Sequence, residues 1–397
     1  MGEWPRVRLD ECSEIVGGAT PSTSVTAYWD GDICWATPKD LSELEGAYIS
    51  DTQRKITREG LASCAAEVLP AGSVLFSSRA PIGHVAINTV PMATNQGFKS
   101  FIPKAERVHA KFLYHWLRRN RVYLESLGNG ATFKEVSKAV VSRIETPLPP
   151  LSAQHRIAEV LDRAEAMRAK RRAALAQLDI LAQSVFFDMF GDPATNSKGW
   201  PESLTLGEVA EIVSGVTKGR NLDGKATRIV PYLAVVNVQD RALDLSVVKS
   251  IEATEDEIQR YRLKTNDLLL TEGGDPDKLG RGTLWNDELP ECIHQNHIFR
   301  VRLTTDQVNP LFLNWLVGGQ RGKRYFLRSA KQTTGIASIN MMQLRGFSLL
   351  LPPIILQHEF ARRVAVVDKL KTAHRASLAK MDAFFAALQH RAFRGEL

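Results

Sequence analysis

The residue types that carry chemistry are all present in this 397-residue sequence, but not in the spacings that catalysis needs. No GxxxxGK[ST] occurs, so there is no glycine-rich cradle for a nucleotide phosphate. Both Pro-Pro pairs, Pro149-Pro150 and Pro352-Pro353, follow leucine, so the Asp/Asn-Pro-Pro-aromatic tetrapeptide that would hold an amino group for methylation is missing. Neither HExxH nor a paired-cysteine set exists: Cys12, Cys34, Cys64 and Cys292 are scattered and the nine histidines dispersed. Pro276-Asp277 begins like a PD…(D/E)xK nuclease motif, yet no acid-x-Lys follows at useful spacing, and it reads as a loop. His155 and His358 stand at predicted helix starts, where a polar side chain meets free backbone groups. No catalytic residue and no metal site are expected.

What remains is binding chemistry. Arginine can grip a guanine edge in bidentate fashion and asparagine or glutamine an adenine edge, and such residues crowd the predicted loop tips. With 51 Lys+Arg against 44 Asp+Glu the formal charge is +7 and the pI about 9.2, a modest excess that favours an anionic partner. The cysteines are expected to be reduced thiols. The start MGEWPRVRLDE has no apolar core, so no secretory signal is expected, and apolar runs such as Phe347 to Leu356 are too short to span a bilayer. A soluble, cytoplasmic protein with no membrane contact is expected.

The elements that would position such loops are two long helices. Residues 148–192 open LPPLSAQHRIAEVLD, and residues 351–397 open LPPIILQHEFARRV. In the first, Ile157, Val160, Ala164, Met167, Ala174, Leu178, Leu181 and Val185 recur at steps of three and four, with Arg171 the one misfit. In the second, Phe360, Val364, Val367, Leu378, Met381, Phe385 and Leu388 do the same, with Lys371 and His374 interrupting. A stripe this long and narrow wants a partner of equal length, so an intramolecular antiparallel coiled coil is the economical inference.

The chain is also an internal repeat. WPRVRLDECSEIVGG at Trp4 answers to WPESLTLGEVAEIVSG at Trp200, both ending in Glu-Ile-Val-x-Gly (Glu14 to Gly18, Glu211 to Gly215). Strand Ser73 to Phe76, turn Arg79 to Gly83 and strand His84 to Ile87 answer to Asp267 to Thr271, a loop from Gly273 to Gly282, and Thr283 to Trp285. Asn95-Gln96-Gly97-Phe98 and Gln295-Asn296-His297-Ile298 each lead into a strand. Phe112, Leu113, Trp116 and Leu117 form one face of a short helix, matched by Phe312, Leu313, Trp315 and Leu316, and both read as core. Polar loops follow at 128–132 and 331–335, and 191–199 reads as a linker.

The expected fold class is therefore α+β, with two similar mixed α/β recognition domains held apart by the coiled coil. The first would span 1–151 and its helix 152–190, while linker and second domain would span 191–353 and the closing helix 354–397. Two similar readers on a stiff spacer suit duplex DNA, where half-sites on one face recur roughly every 34 Å.

At this point the sequence closely resembles the specificity subunit of type I restriction-modification enzymes, on three features: WPxVxLxE…EIhxGxTPS, the hairpin with its Asn-Gln follow-on, and Leu148-Pro149-Pro150-Leu151…Gln154…Ile157-Ala158. The second long helix departs from the first in having no serine equivalent to Ser152. The resemblance implies a non-catalytic DNA reader with two target recognition domains, each reading one half of a bipartite site with a nonspecific gap. It also implies docking of two methyltransferase subunits that use S-adenosylmethionine to methylate adenine, and of restriction subunits using ATP and Mg where the system includes them. The chain itself would bind no cofactor. By this reading the base or phosphate contacts are Lys39, Ser77, Ser78, Arg79, Asn95 and Lys134 in the first domain. In the second they are Lys218, Arg220, Asn237, Gln239, Lys278, Arg281, Asn296 and Lys331. The competing readings are the recognition subunit of a related two-subunit enzyme that cleaves on both sides of its site, an enzyme in its own right, and a DNA-independent coiled-coil scaffold.

Overall fold

The computed structural model describes residues 4–79, 81–130, 134–275, 279–333 and 336–397. They form two compact units, one of Met1–Ala173 with Arg375–Leu397, the other of Ala174–His374. Each unit combines one mixed α/β domain with half of each long helix.

In the first unit a five-stranded sheet runs in the order Ser13–Gly17, Lys99–Pro103, Val74–Phe76, Val85–Asn88, Tyr48–Ile49. A three-stranded sheet runs Lys55–Ile56, Trp29–Ala36, Met92–Thr94, with Trp29–Ala36 and Met92–Thr94 parallel. The second unit repeats both orders, except that its main sheet has four strands and no counterpart of Tyr48–Ile49 among the described residues. Its sheets are Ala210–Ser214, Ile298–Leu303, Leu268–Thr271, Gly282–Leu284, and Lys249–Ala253, Arg228–Leu233, Ile293–His294, the last two again parallel. The hairpin read from the sequence thus lies inside the main sheet of the first unit, while in the second unit its strand Gly282–Leu284 forms the sheet edge. Phe112, Leu113, Trp116 and Leu117 are buried, as are Phe312, Leu313, Trp315 and Leu316, which fits their reading as core.

The long helices are Leu151–Phe190 and Ile354–Phe393. In the first unit Leu397 lies in a groove with Ser152, Arg156 and Ile157, while Arg168 reaches Asp382 (2.6 Å) and sits 4.4 Å over the Phe385 ring. In the second unit Phe186 and Phe190 pack on Phe360 (5.3 and 5.5 Å), and Lys371 pairs with Asp179 at 2.6 Å. Rising numbers on one helix meet falling numbers on the other, so the pairing within each unit is antiparallel. The seam differs in detail from the predicted stripe. Met167 and Leu181 are about half exposed, and Leu161, Ala182 and Phe186 are buried in their place. The cause is an apolar band wider than one row, from which periodicity alone cannot pick the row that faces the partner. By length and composition the first long helix also contains a window apolar enough to cross a membrane, where the sequence reading expected none. In that helix Ala182, Phe186 and Phe190 are buried in the core of the second unit and Asp179 is ion-paired.

Two repeated motifs tie helix to domain. Gln154 is fully buried: its Oε1 accepts from the His109 N–H (2.8 Å) and its Nε2 donates to the carbonyls of Arg107 (2.9 Å) and Pro149 (2.8 Å). Gln357 repeats this with the Asn309 N–H and the Gln307 and Pro352 carbonyls at 2.8, 3.2 and 2.8 Å. The neighbouring His155 ring lies 4.0 Å from that of His109, tilted by 36°, and His358 lies 3.3 Å from the Asn309 amide. The tryptophan of each Trp-Pro pair holds the end of the other helix half in its unit. The Trp4 indole N–H donates to the Ala392 carbonyl (3.0 Å) and that of Trp200 to the Phe190 carbonyl (2.9 Å). The predicted linker 191–199 is a tight turn rather than a slack one. Gly191 leaves the helix at φ +74°, Asn196 exchanges hydrogen bonds with Trp200, and Lys198 caps the Asp188 and Met189 carbonyls.

Candidate nucleic-acid interface

In the first unit an open cleft of about 470 Å³ is lined by Thr37, Pro38, Lys39, Ser42, Arg79, Pro81, Asn95, Gln96 and Gly97. Three walls meet there. One is the end of strand Trp29–Ala36, where Asp40 accepts from the Thr37 hydroxyl and N–H (2.5 and 2.8 Å) and so turns the chain into the short helix Pro38–Ser42. That helix carries Lys39 outward, two-thirds exposed and 3.7 Å from Glu43. The second wall is the hairpin turn bearing Arg79 and Pro81. The third is the loop Asn95–Gly97, which joins the short strand Met92–Thr94 to the long strand Lys99–Pro103.

The cleft gathers Lys39, Arg79 and Asn95 from the predicted set. Lys134 is exposed beside Glu135, whose backbone pairs with Arg79 and whose carboxylate takes Lys99 at 3.2 Å. Two predicted contacts leave the set. Ser77 is fully buried, donating to the Pro81 carbonyl and accepting from the His84 N–H, both at 2.8 Å, and Ser78 is fully buried on the Gly97 carbonyl (3.2 Å). Their hydroxyls close the hairpin turn and seat the Asn95–Gly97 loop. Gln96 was missed by the sequence selection, although it stands beside Asn95 and is the more exposed of the two. Its Oε1 accepts from the Thr20 hydroxyl.

The second unit brings together Gln239 and Arg281, the arginine Nη1 donating to the amide oxygen at 3.1 Å while its buried Nε has no partner among the described residues. Asn237 leaves the set: it is buried, accepting from the Ala234 N–H (2.8 Å) and donating to the Asp244 and Val247 carbonyls (2.7 and 2.9 Å). Arg220 is committed elsewhere, its guanidinium gripping both oxygens of Glu257 (2.5 and 2.7 Å), and this partner holds the Glu257 carboxyl down to about 2. Lys218 is exposed on the adjoining loop, and Asn296 is partly exposed with no side-chain hydrogen bond among the described residues. Lys278 lies outside the described residues, and of Lys331 only the backbone is described, in strand Lys331–Thr333.

Arginine, lysine and unspent amide groups on turns clamped by buried hydrogen bonds form a surface suited to reading polar edges and phosphates. Among the described residues no group of three or more His, Cys, Asp or Glu could hold a metal ion.

Comparison with known proteins bears on this arrangement. Residues 1–177 match the model of the type I restriction modification DNA specificity domain. The chain is 35% identical over 230 residues to the type I restriction enzyme MjaIX specificity subunit of Methanocaldococcus jannaschii, covering 54% of this chain and 53% of that one. It is 25% identical over 340 residues to the StySPI specificity subunit of Salmonella potsdam, covering 81% and 73%. The matched stretch thus spans about half the length of the MjaIX subunit. Among solved structures, the S subunit of a type I restriction-modification system from M. genitalium aligns over 98% of this chain and 96% of its own, at TM-score 0.54 and 13% identity. A chain from a study of assembly and conformational transition of the type I R-M system aligns over 100% and 98%, at TM-score 0.55 and 18% identity. At those identities the shared property is the fold.

Proposed function

We propose, from the match of residues 1–177 to the type I restriction modification DNA specificity domain and the likeness to two specificity subunits, that this chain is the DNA-reading subunit of such a complex and carries no catalysis of its own. Each unit would read one half of a bipartite site, with the paired helices setting the nonspecific gap. The observation that carries this is the doubled plan: two units repeat the same sheet orders, the same glutamine joint and the same loop position, yet differ in loop side chains. A duplicated frame with unlike tips is what independent recognition of two half-sites requires.

The partners in this reading are two adenine methyltransferase subunits carrying S-adenosylmethionine and, where the system includes them, restriction subunits using ATP and Mg. Met167 and Phe384 in the first unit, and Ile180, Leu181, Val366 and Leu370 in the second, leave apolar surface exposed on the helices, which supports docking of protein there. The location would be cytoplasmic.

The test is to express the chain with its methyltransferase partner and map adenine methylation by single-molecule sequencing. A two-part motif with a fixed gap is expected, and a methylated motif without that structure overturns the reading. Arg79→Ala should then weaken binding to one half-site by ~1–3 kcal/mol and Arg281→Ala to the other, measured by gel shift on duplexes altered in one half at a time. Equal loss at both halves would refute the division of labour.

A further inference from the structure

We infer that Gln96 and Asn296 are equivalent base-reading residues, each presenting its amide to an adenine in the half-site read by its unit. The inference rests on the DNA-reading function and adds which side chain reads and which base it takes.

Glu-Ile-Val-x-Gly ends both copies of the opening motif, and its last residue has no room for a side chain. A Cβ on Gly18 would lie 2.0 Å from the Asn95 carbonyl oxygen, and one on Gly215 would lie 1.9 Å from that of His294. The first contact falls on the loop that joins the short parallel strand to the long strand of the main sheet, and the second on the last residue of the short strand, where that loop begins. The motif and the amide pair that follows that strand, far apart in sequence, are therefore one structure.

The loop pressed onto this glycine is held by backbone bonds on every side. In the first unit Asn95 N–H donates to Ala36 (3.0 Å), Ala19 N–H to Thr94 (3.0 Å), Ser78 N–H to Gly97 (2.8 Å) and Phe98 N–H to Asn95 (3.2 Å). In the second, Gln295 N–H donates to Leu233 (2.9 Å), Val216 N–H to His294 (2.8 Å), Glu272 N–H to His297 (3.0 Å) and Ile298 N–H to Gln295 (3.0 Å). These bonds match one for one, which sets Asn95 against Gln295 and Gln96 against Asn296. The frame is fixed, so the amide one residue along it projects from a pre-organised base, which is what a directional contact needs.

Bidentate recognition of adenine takes one acceptor and one donor on a single plane, for the N6 amino group and N7. Asn95 is the poorer candidate, only partly exposed and with its Oδ1 turned onto its own loop, where it accepts from the Gly97 N–H at 2.9 Å. Gln96 is exposed, and the Thr20 hydroxyl uses one lone pair of its Oε1 and orients the amide, which leaves the second lone pair and both Nε2 hydrogens unspent among the described residues. Asn296 has a wholly unspent side chain among the described residues, while its backbone is clamped by Val216 and by the Ser214 hydroxyl (2.5 Å). Guanine is the poorer match, since its O6 and N7 both accept and would set the amide oxygen against an acceptor. In the first unit Gln96 shares its cleft with Lys39 and Arg79, cations suited to the phosphates and guanines beside such a base.

The experiment uses the full chain with its methyltransferase partner, and duplexes carrying the motif found by methylation mapping. Adenines are replaced one at a time by 7-deazaadenine, which lacks the N7 acceptor. One such replacement in the half-site that Arg79→Ala weakens should reduce wild-type affinity by roughly tenfold or more. Gln96→Ala should lose a similar factor on the unmodified duplex and show no further loss with that 7-deazaadenine. Asn296→Ala should behave likewise in the other half-site. Gln96 is exposed, so its truncation opens no cavity, and an unchanged thermal midpoint confirms that folding is intact. A Gln96→Ala protein that discriminates the first half-site like wild type, or that stays as sensitive to 7-deazaadenine, overturns the amide assignment and leaves the two-reader function standing. So does a half-site without adenine. A methylated motif with no two-part structure removes both.

Discussion

His294 shows how far a polar residue can be drawn into structural service. It is fully buried on the strand that carries the recognition loop, its Nδ1 bonds the Ile298 carbonyl at 3.1 Å, and its Nε2 has no partner among the described residues. Burial, reinforced by the nearby Arg300 charge, pushes its pKa down to about 3. In the folded state it therefore stays neutral, while in the unfolded chain it takes a proton near pH 6.5. The stability it permits is complete above that value and is lost as pH falls from about 6.5 toward 3, by at most ~1.4 kcal/mol per pH unit. His294→Gln, which keeps a donor for the Ile298 carbonyl, should lose less stability between pH 7 and 5 than the parent protein in urea unfolding. An identical loss in the two proteins would mean that His294 is not protonated on unfolding. The same burial explains which candidate residues the sequence concealed. Residue type identified Ser77, Ser78 and Asn237 as possible contacts, but which way a hydroxyl or amide points is decided by the neighbouring carbonyls, and those come from distant segments. Gln96 was overlooked for the converse reason: nothing local reveals that Asn95 turns its amide oxygen onto its own loop while its neighbour's amide stands exposed.

At the scale of elements, sequence reading reached furthest where the signal was local and periodic. The paired hairpins, the short helices with their aromatic faces and the two long helices all follow from apolar spacing. The exact seam did not, because Arg168 and Lys371 take places that an apolar count assigns to hydrophobes. Arg168 does so by laying its stem on Phe385 and its charge on Asp382, Lys371 by reaching Asp179. The glutamine of LPPxxxQ stood out as repeated, and its role became visible only as a joint. Gln154 satisfies one N–H and two carbonyls that are otherwise unpaired at the helix entry. Gln154→Leu keeps much of the volume and removes all three bonds, so it should cost roughly 2–4 kcal/mol, measured by denaturant unfolding. The loss should fall on the first unit and leave the joint at Gln357 intact, which hydrogen exchange of the His109 and Asn309 amides would resolve. Equal exchange at both sites would show that the glutamine does not hold the joint.

At the scale of the whole chain, neither half of the sequence contains a complete unit. The first domain is finished by residues 375–397, whose Phe385, Leu388 and Ala392 join Ile157, Leu161 and Ala164 in one core, and the second by residues 174–190 of the first helix. The completing residues correspond: Phe393 meets Phe112 at 5.3 Å in the first unit, and Phe190 meets Phe312 at 4.8 Å in the second. A fragment of residues 1–190 therefore carries a domain that lacks its completing helix end, and a helix end that lacks its domain. Two copies can supply each other, with Phe190 of one seated on Phe112 of its partner, by the exchange of equivalent elements that makes domain swapping inexpensive. The expected outcome is a dimer in sedimentation velocity, with Phe186→Ser and Phe190→Ser together shifting it to monomer and lowering its stability, because the seam at Ile157 and Leu161 would then face water. A well-folded monomer of the unaltered fragment would show that the first domain needs no second helix end, and the interchange of halves would not be what holds each unit together.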